Sequence, residues 1–129
     1  MIVVDTSALA AIVLGEPDGE RFRDALEHAT VAISAASVTE ARIVLDSRAG
    51  GDALRDLTEL LDVCEATITP YDEEHASATH AAWRRFGKGR HPAQLNLGDC
   101  MAYATAKLAD APLLFKGKDF TQTDITPAI

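Results

Sequence analysis

The stretch Ile2-Val3-Val4-Asp5-Thr6-Ser7 sets the fold. Three β-branched apolar residues read as a short buried strand, and the polar residues directly after them are helix caps. The pattern recurs along the chain. Val31-Ala32-Ile33 is a second strand, before a helix from about Ala36 to Arg48. Ala66-Thr67-Ile68 is a third, stopped by Pro70, after which Asp72 caps a helix running to about Phe86. Leu113-Leu114-Phe115 is a fourth, and Ile125 is a candidate seed for an edge strand. Further helices are expected from Ala8 to Leu14, from Pro17 to Glu27, from Asp52 to Asp62 past the Gly50-Gly51 break, and up to about Ala109. Strands separated by helical stretches imply a parallel sheet with helices on both faces. The expected architecture is α/β: one domain over residues 1–129, with four to five strands.

Composition narrows the function. The chain has 129 residues with 20 Asp and Glu against 12 Lys and Arg, a formal charge of −8, so it lacks the broad basic footprint of a nucleic-acid binder. Contact with a polyanion requires a local basic patch or metal ions. Only 5% of residues are aromatic, and base stacking is not an obvious theme. Cys64 and Cys100 share no metal-ligand spacing and read as reduced core thiols. The N-terminus resembles neither a signal peptide nor a membrane span, so a cytoplasmic location is expected.

Leu95-Asn96-Leu97-Gly98-Asp99-Cys100-Met101-Ala102-Tyr103 carries the chemistry. Gly98 breaks the chain where a helix begins, and Asp99 lies in the first turn, near the positive end of the helix dipole. Met101, Ala104 and Leu108 recur at helical spacing as the expected inward face. Ligands of open parallel sheets gather beyond the carboxyl ends of the strands. Asp5 follows strand one, Glu40 lies one turn into the helix after strand two, and Asp119 lies past strand four. Each has a plain structural reading: Asp5 and Asp99 as caps, Ser37-Val38-Thr39-Glu40 as a capping box, Asp119 as a turn residue. Together, four carboxylates sharing one edge would repel one another and take up protons, unless a hard divalent cation such as Mg²⁺ lay between them.

These residues also carry a resemblance. Asp5-Thr6-Ser7-Ala8-Leu9 after a first strand looks like the opening motif of PIN-domain nucleases, and Glu40-Ala41 resembles their second. Asn96 to Ala104 is very similar to the third motif of the VapC toxin branch. Leu114-Phe115-Lys116-Gly117-Lys118-Asp119-Phe120 with Thr123-Asp124 resembles the fourth. The resemblance implies a Mg²⁺- or Mn²⁺-dependent endoribonuclease, the toxin of a toxin–antitoxin pair, with Asp5, Glu40, Asp99 and Asp119 as metal-binding catalytic acids. Thr6 or Ser7 would hold Asp5 in place. It also implies an antitoxin and a homodimer partner, for which the apolar edges of the helices at 17–27 and 52–63 are candidates. Lys118 departs from the small polar or acidic residue common at that position and would touch phosphate.

Arg84, Arg85, Lys88 and Arg90 form the one concentrated basic segment, read either as a solvated helix end or as an RNA contact. Trp83 and Tyr103 are expected to pack rather than stack on bases. His91 is placed in the basic loop, and His28, His75 and His80 are expected on exposed helix faces. Two other classes compete: a receiver-like Mg²⁺-binding signalling domain, which fits poorly because Thr69-Pro70 stands where a phosphorylatable Asp is needed, and a PIN-like binding module without catalysis.

Overall fold

The computed structural model describes all 129 residues. Four strands, β1 (Ile2–Val4), β2 (Val31–Ser34), β3 (Thr67–Thr69) and β4 (Leu113–Leu114), form one sheet in the order β3-β2-β1-β4. Every pairing is parallel. Six helices connect them: α1 (Thr6–Val13), α2 (Gly19–Glu27), α3 (Ala35–Ala49), α4 (Gly51–Val63), α5 (Glu73–Phe86) and α6 (Leu97–Leu108). The expected fifth strand is reduced to one parallel bridge between Leu113 and Pro127, with Ile125 buried nearby. No helix is long and apolar enough to cross a membrane.

Strand side chains alternate between faces, and the sequence of β1 uses both. Ile2 and Val4 join Val31, Ile33 and Leu114 in a core beneath α1, α2, α3 and α4, while Val3, Ala32 and Leu113 join a second core beneath α5 and α6. β1 and β4 are therefore buried on both sides. β3, at the sheet edge, leaves Ile68 45% exposed. Gly50, at φ +73°, ends α3 and starts α4, a backbone conformation costly for any residue with a Cβ.

Three helix faces differ from expectation. On α6 the inward residues are Cys100, Tyr103, Ala104 and their neighbours, while Leu108 is 39% exposed and Met101 half-buried. On α5 the spacing of Ala76, Thr79 and Trp83 in the sequence predicts one inward side, whereas the buried stripe is His75, Thr79, Ala82 and Phe86. Hydropathy favours Ala76 over His75. His75 is nonetheless buried because Asp72 Oδ1 lies 2.9 Å from its Nδ1 and satisfies one edge of the ring. Finally, α3 is capped by Ser34, whose hydroxyl accepts from the Ala36 amide at 3.1 Å. β2 runs into the helix without a loop, so Ser37 lies inside α3 and Glu40 belongs to no capping box.

Candidate active site

The carboxyl end of β1 delivers Asp5, 3% exposed, as the cap of α1. Its Oδ2 accepts from the Ser7 amide at 3.0 Å and from the Ser7 hydroxyl at 2.6 Å. That hydroxyl oxygen also accepts from the Lys116 amide at 2.9 Å, tying the exit of β4 to the exit of β1. Ser7 is the residue holding Asp5. Thr6 turns its hydroxyl elsewhere, donating to the Ser37 carbonyl at 3.2 Å and fastening α1 to α3.

Asp99 is the third residue of α6 and does what its position predicts. The Asn96 side chain accepts from the Asp99 amide at 2.8 Å, and Asp99 Oδ2 accepts from the Asn96 amide at 3.1 Å. This capping box fixes the carboxylate without removing it from the cleft. Gly98, expected to break the chain, lies inside the helix for a different reason. A Cβ there would stand 1.9 Å from Glu40 Oε2, so the Glu40 carboxylate occupies the space that a side chain at 98 would need. Glu40 reaches this point from the second turn of α3.

Asp5, Glu40 and Asp99 thus line one polar cleft of about 330 Å³ together with Ser7, Glu16, Arg48 and Lys116. Burial pushes Asp99 up to about 7, and the charges of Asp5, Asp119 and Glu40 add to the rise. Burial raises Asp5 to about 6, with the Glu40 charge adding and the Ser7 hydrogen bonds opposing. Asp119 is exposed at the start of a short 3-10 helix (Asp119–Gln122), outside the cleft wall. Its charge still reaches Asp99. Asp119 therefore lies at the rim, while Asp5, Glu40 and Asp99 share the cleft.

Sequence reasoning passed over the cleft's cations. Lys116 pairs with Glu16, and Arg48 lies 3.8 Å from the same carboxylate. Lys116 was legible as the residue directly after the expected fourth strand, Leu113-Leu114-Phe115. Glu16 and Arg48 come from a loop and a helix end with no local signal.

The basic segment is divided. Arg85 pairs with Asp124 at 3.2 Å and covers Phe86, and Arg90 donates to the Arg84 carbonyl at 3.1 Å. His91 accepts from the Ala93 amide at 3.0 Å and packs edge-on to Phe86, a loop-shaping role. Lys118 is exposed beside Asp119. Tyr103 is buried and donates its hydroxyl to Asp124, as a packing residue should. Trp83 is 40% exposed, contrary to expectation.

The donor set is all oxygen, which suits a hard cation. No three acidic, thiol or imidazole side chains stand in the tight arrangement of a preassembled cage. Mg²⁺ is commonly held by one or two carboxylates and several waters, so an open cleft of mutually repelling acids fits it.

Comparison with known proteins agrees with this geometry. The family model described as PIN domain matches residues 2–125. Ribonuclease VapC30 of Mycobacterium tuberculosis is 44% identical over 125 residues, covering 96% of this chain and 95% of that protein. Ribonuclease VapC of Mycolicibacterium smegmatis is 45% identical over 125 residues, covering 96% and 97%. Among solved structures, Mycobacterium tuberculosis VapC20, a sarcin-ricin loop cleaving toxin, superposes with a TM-score of 0.77 at 18% identity, covering 98% of this chain and 97% of that one. A toxin-antitoxin complex from Klebsiella pneumoniae gives 0.72 at 18% identity, covering 96% and 93%.

Proposed function

The chain belongs to the PIN-domain family, in its VapC ribonuclease branch, and from that premise we propose that Asp5, Glu40, Asp99 and Asp119 hold Mg²⁺, or Mn²⁺, to cut RNA phosphodiester bonds. The observation carrying this reading is the meeting of Asp5, Glu40 and Asp99, from three separate elements, in a cleft where Gly98 makes room for the Glu40 carboxylate. Ordinary caps have no reason to share a cleft at the cost of raised proton affinity. Such perturbed carboxyls collect at functional sites.

When bound, the ion would supply an acidified water and positive charge against the phosphoryl oxygens. The chain supplies the rest. Ser7 orients Asp5 and favours its charged form, and the Asn96 amide does the same for Asp99. Asp119 completes the set from the rim. Lys116 and Arg48 offer cations to a phosphate in the cleft, and Glu16 positions both. Arg84, Arg85, Lys88, Arg90 and Lys118 are proposed as outer phosphate contacts, since no other stretch of so acidic a chain concentrates positive charge. The domain is taken as residues 1–129, acting in the cytoplasm.

A cognate antitoxin is the proposed protein partner, on the likeness to the Klebsiella pneumoniae toxin-antitoxin complex. The apolar edge of α4, where Val63 is 77% exposed, is the proposed face for it and for a homodimer; α2 offers no such edge, because its Phe22 and Leu26 are buried in the core. A receiver-like function has no support: residue 69, at the end of β3, is Thr, not Asp.

The test is cleavage of single-stranded RNA by the purified protein with Mg²⁺, with EDTA, and as Asp5→Asn and Asp99→Asn. Products should carry 5′-phosphate and 3′-hydroxyl ends, and both variants should be inactive. Products ending in 2′,3′-cyclic phosphate would overturn the scheme. A bound but uncut RNA would leave a binding module.

A further inference from the structure

The carboxylate of Asp124 takes no part in the chemistry above, yet three donors converge on it. Its Oδ1 accepts from the Tyr103 hydroxyl, and its Oδ2 accepts from Lys107 Nζ and from the Arg85 guanidinium, each at 3.2 Å. Two helices take part, since Tyr103 and Lys107 belong to α6 and Arg85 to α5. Both oxygens already serve protein donors, two of them cationic, so Asp124 is poorly placed to act as a metal ligand itself. Asp119, in the same short segment, is exposed in the first turn of the 3-10 helix.

We propose that Asp124 is a positioning residue for Asp119: clamped by Tyr103, Lys107 and Arg85, it fixes where along α6 the Asp119 carboxylate stands relative to Asp99. This rests on the ribonuclease reading and deepens it by naming what sets the fourth acid in place.

The clamp and the cleft share one face of α6. Asp99, Tyr103 and Lys107 are four residues apart on that helix, so they form a single row, each step rising about 6 Å. Asp124 bonds to the second and third members of the row, and the charge of Asp119 reaches the first. The segment from 119 to 124 therefore runs along the row, away from the cleft. It is stiff enough to carry the constraint. The Thr123 hydroxyl donates to the Phe120 carbonyl at 2.7 Å and accepts from the Ile125 amide at 3.2 Å, and the Thr123 amide donates to the Phe120 carbonyl at 3.0 Å. Phe120 and Ile125 are buried in the core beneath α5 and α6. Apolar burial sets the depth of the segment but is non-directional. The directed, charge-assisted bonds of Asp124 set its position along the helix.

The test measures Mg²⁺ affinity of the full-length protein by calorimetry, with Mg²⁺-dependent cutting of a labelled RNA in parallel, for Asp124→Asn, Asp119→Asn and the double variant. Asp124→Asn keeps the size of the side chain and removes its charge. It should weaken Mg²⁺ binding roughly 10-fold, as loss of a group behind a metal ligand does, and lower kcat with KM for RNA nearly unchanged. Without metal, amide exchange at Thr121 and Thr123, whose N–H groups close the turns of this segment, should quicken. Asp119→Asn should weaken Mg²⁺ at least as much. The double variant should be no weaker than Asp119→Asn alone, because nothing is left to position. Tyr103→Phe, which removes one hydroxyl, should shift Mg²⁺ affinity the same way by less, and decides the matter if Asp124→Asn does not fold. A lowered thermal midpoint with parental Mg²⁺ affinity overturns the proposal, as do additive losses in the double variant. Cutting by the parent, with parental Mg²⁺ affinity in Asp124→Asn and Tyr103→Phe, sinks the clamp and leaves the nuclease. Mg²⁺ binding that Asp124→Asn weakens, in a protein that cuts no RNA, does the reverse. A parent that binds no Mg²⁺ overturns both.

Discussion

Replacing Gly98 with alanine separates the site's geometry from the fold's stability. The new Cβ would lie 1.9 Å from Glu40 Oε2 and 2.6 Å from its Cδ. Ordinary contact requires about 3.5 Å, so the carboxylate must retreat by about 1.5 Å. The clash falls on the far end of a flexible side chain, so the backbone need not move. Alanine also favours the helix over glycine by up to about 1 kcal/mol. Thermal unfolding of Gly98→Ala should therefore show stability within about 1 kcal/mol of the parent, with any change upward. Cleavage should fall on the order of 100-fold, the usual penalty for a catalytic group misplaced by about an ångström. The assay is the initial rate of Mg²⁺-dependent cutting of a fluorescently labelled single-stranded RNA. Adding Glu40→Asp, which shortens the acid by one methylene, should recover part of the loss in the alanine background while lowering activity in the parent, a coupling visible in a double-mutant cycle. Parental cutting by Gly98→Ala would refute the reasoning, because the position of Glu40 would then be irrelevant to catalysis.

Other outcomes follow from the same cleft. Asp5 and Asp99 have folded values of about 6 and about 7, above the unfolded carboxyl value of about 3.9. The folded state therefore binds their protons more tightly. Their contribution to stability is fully present below about pH 4 and is lost as pH rises through the folded values. Thermal midpoints from pH 4 to 8 should show Mg²⁺ stabilising the protein progressively more between pH 5 and 7, where protons cease to compete with it; stabilisation independent of pH would contradict the assignment. Ser7→Ala removes a 2.6 Å hydrogen bond to the buried Asp5 and the partner of the Lys116 amide, so a loss of about 1–3 kcal/mol is expected by denaturant titration, with weaker Mg²⁺ binding by calorimetry. Arg84→Gln should lower RNA affinity and flatten its salt dependence by about one phosphate contact, read from binding in EDTA across a salt series. An unchanged slope would remove Arg84 from the interface.

Much of this molecule was legible in its residues. Short apolar runs alternating with helical stretches dictated parallel strands and crossover helices, because central strands such as β1 and β4 need burial on both faces. Asp5, Asp99 and Asp119 were readable at the positions where an open sheet presents ligands. The phase of α5 was not, since a buried His75 is acceptable only once Asp72 is in reach of its ring, a contact that hydropathy cannot see. Gly98 was read as a breaker, yet its role is to leave space for a carboxylate 58 positions away in the chain. The pairing of Glu16 with Lys116 and Arg48 was equally hidden, because only the closure of β4 against β1 brings residues 100 apart into contact. Local chemistry, carried by each residue and its near neighbours, is written in the order of the chain. Proximity between distant residues arises only when two cores close around the sheet, and here that proximity brings Asp5, Glu40 and Asp99 to one cleft.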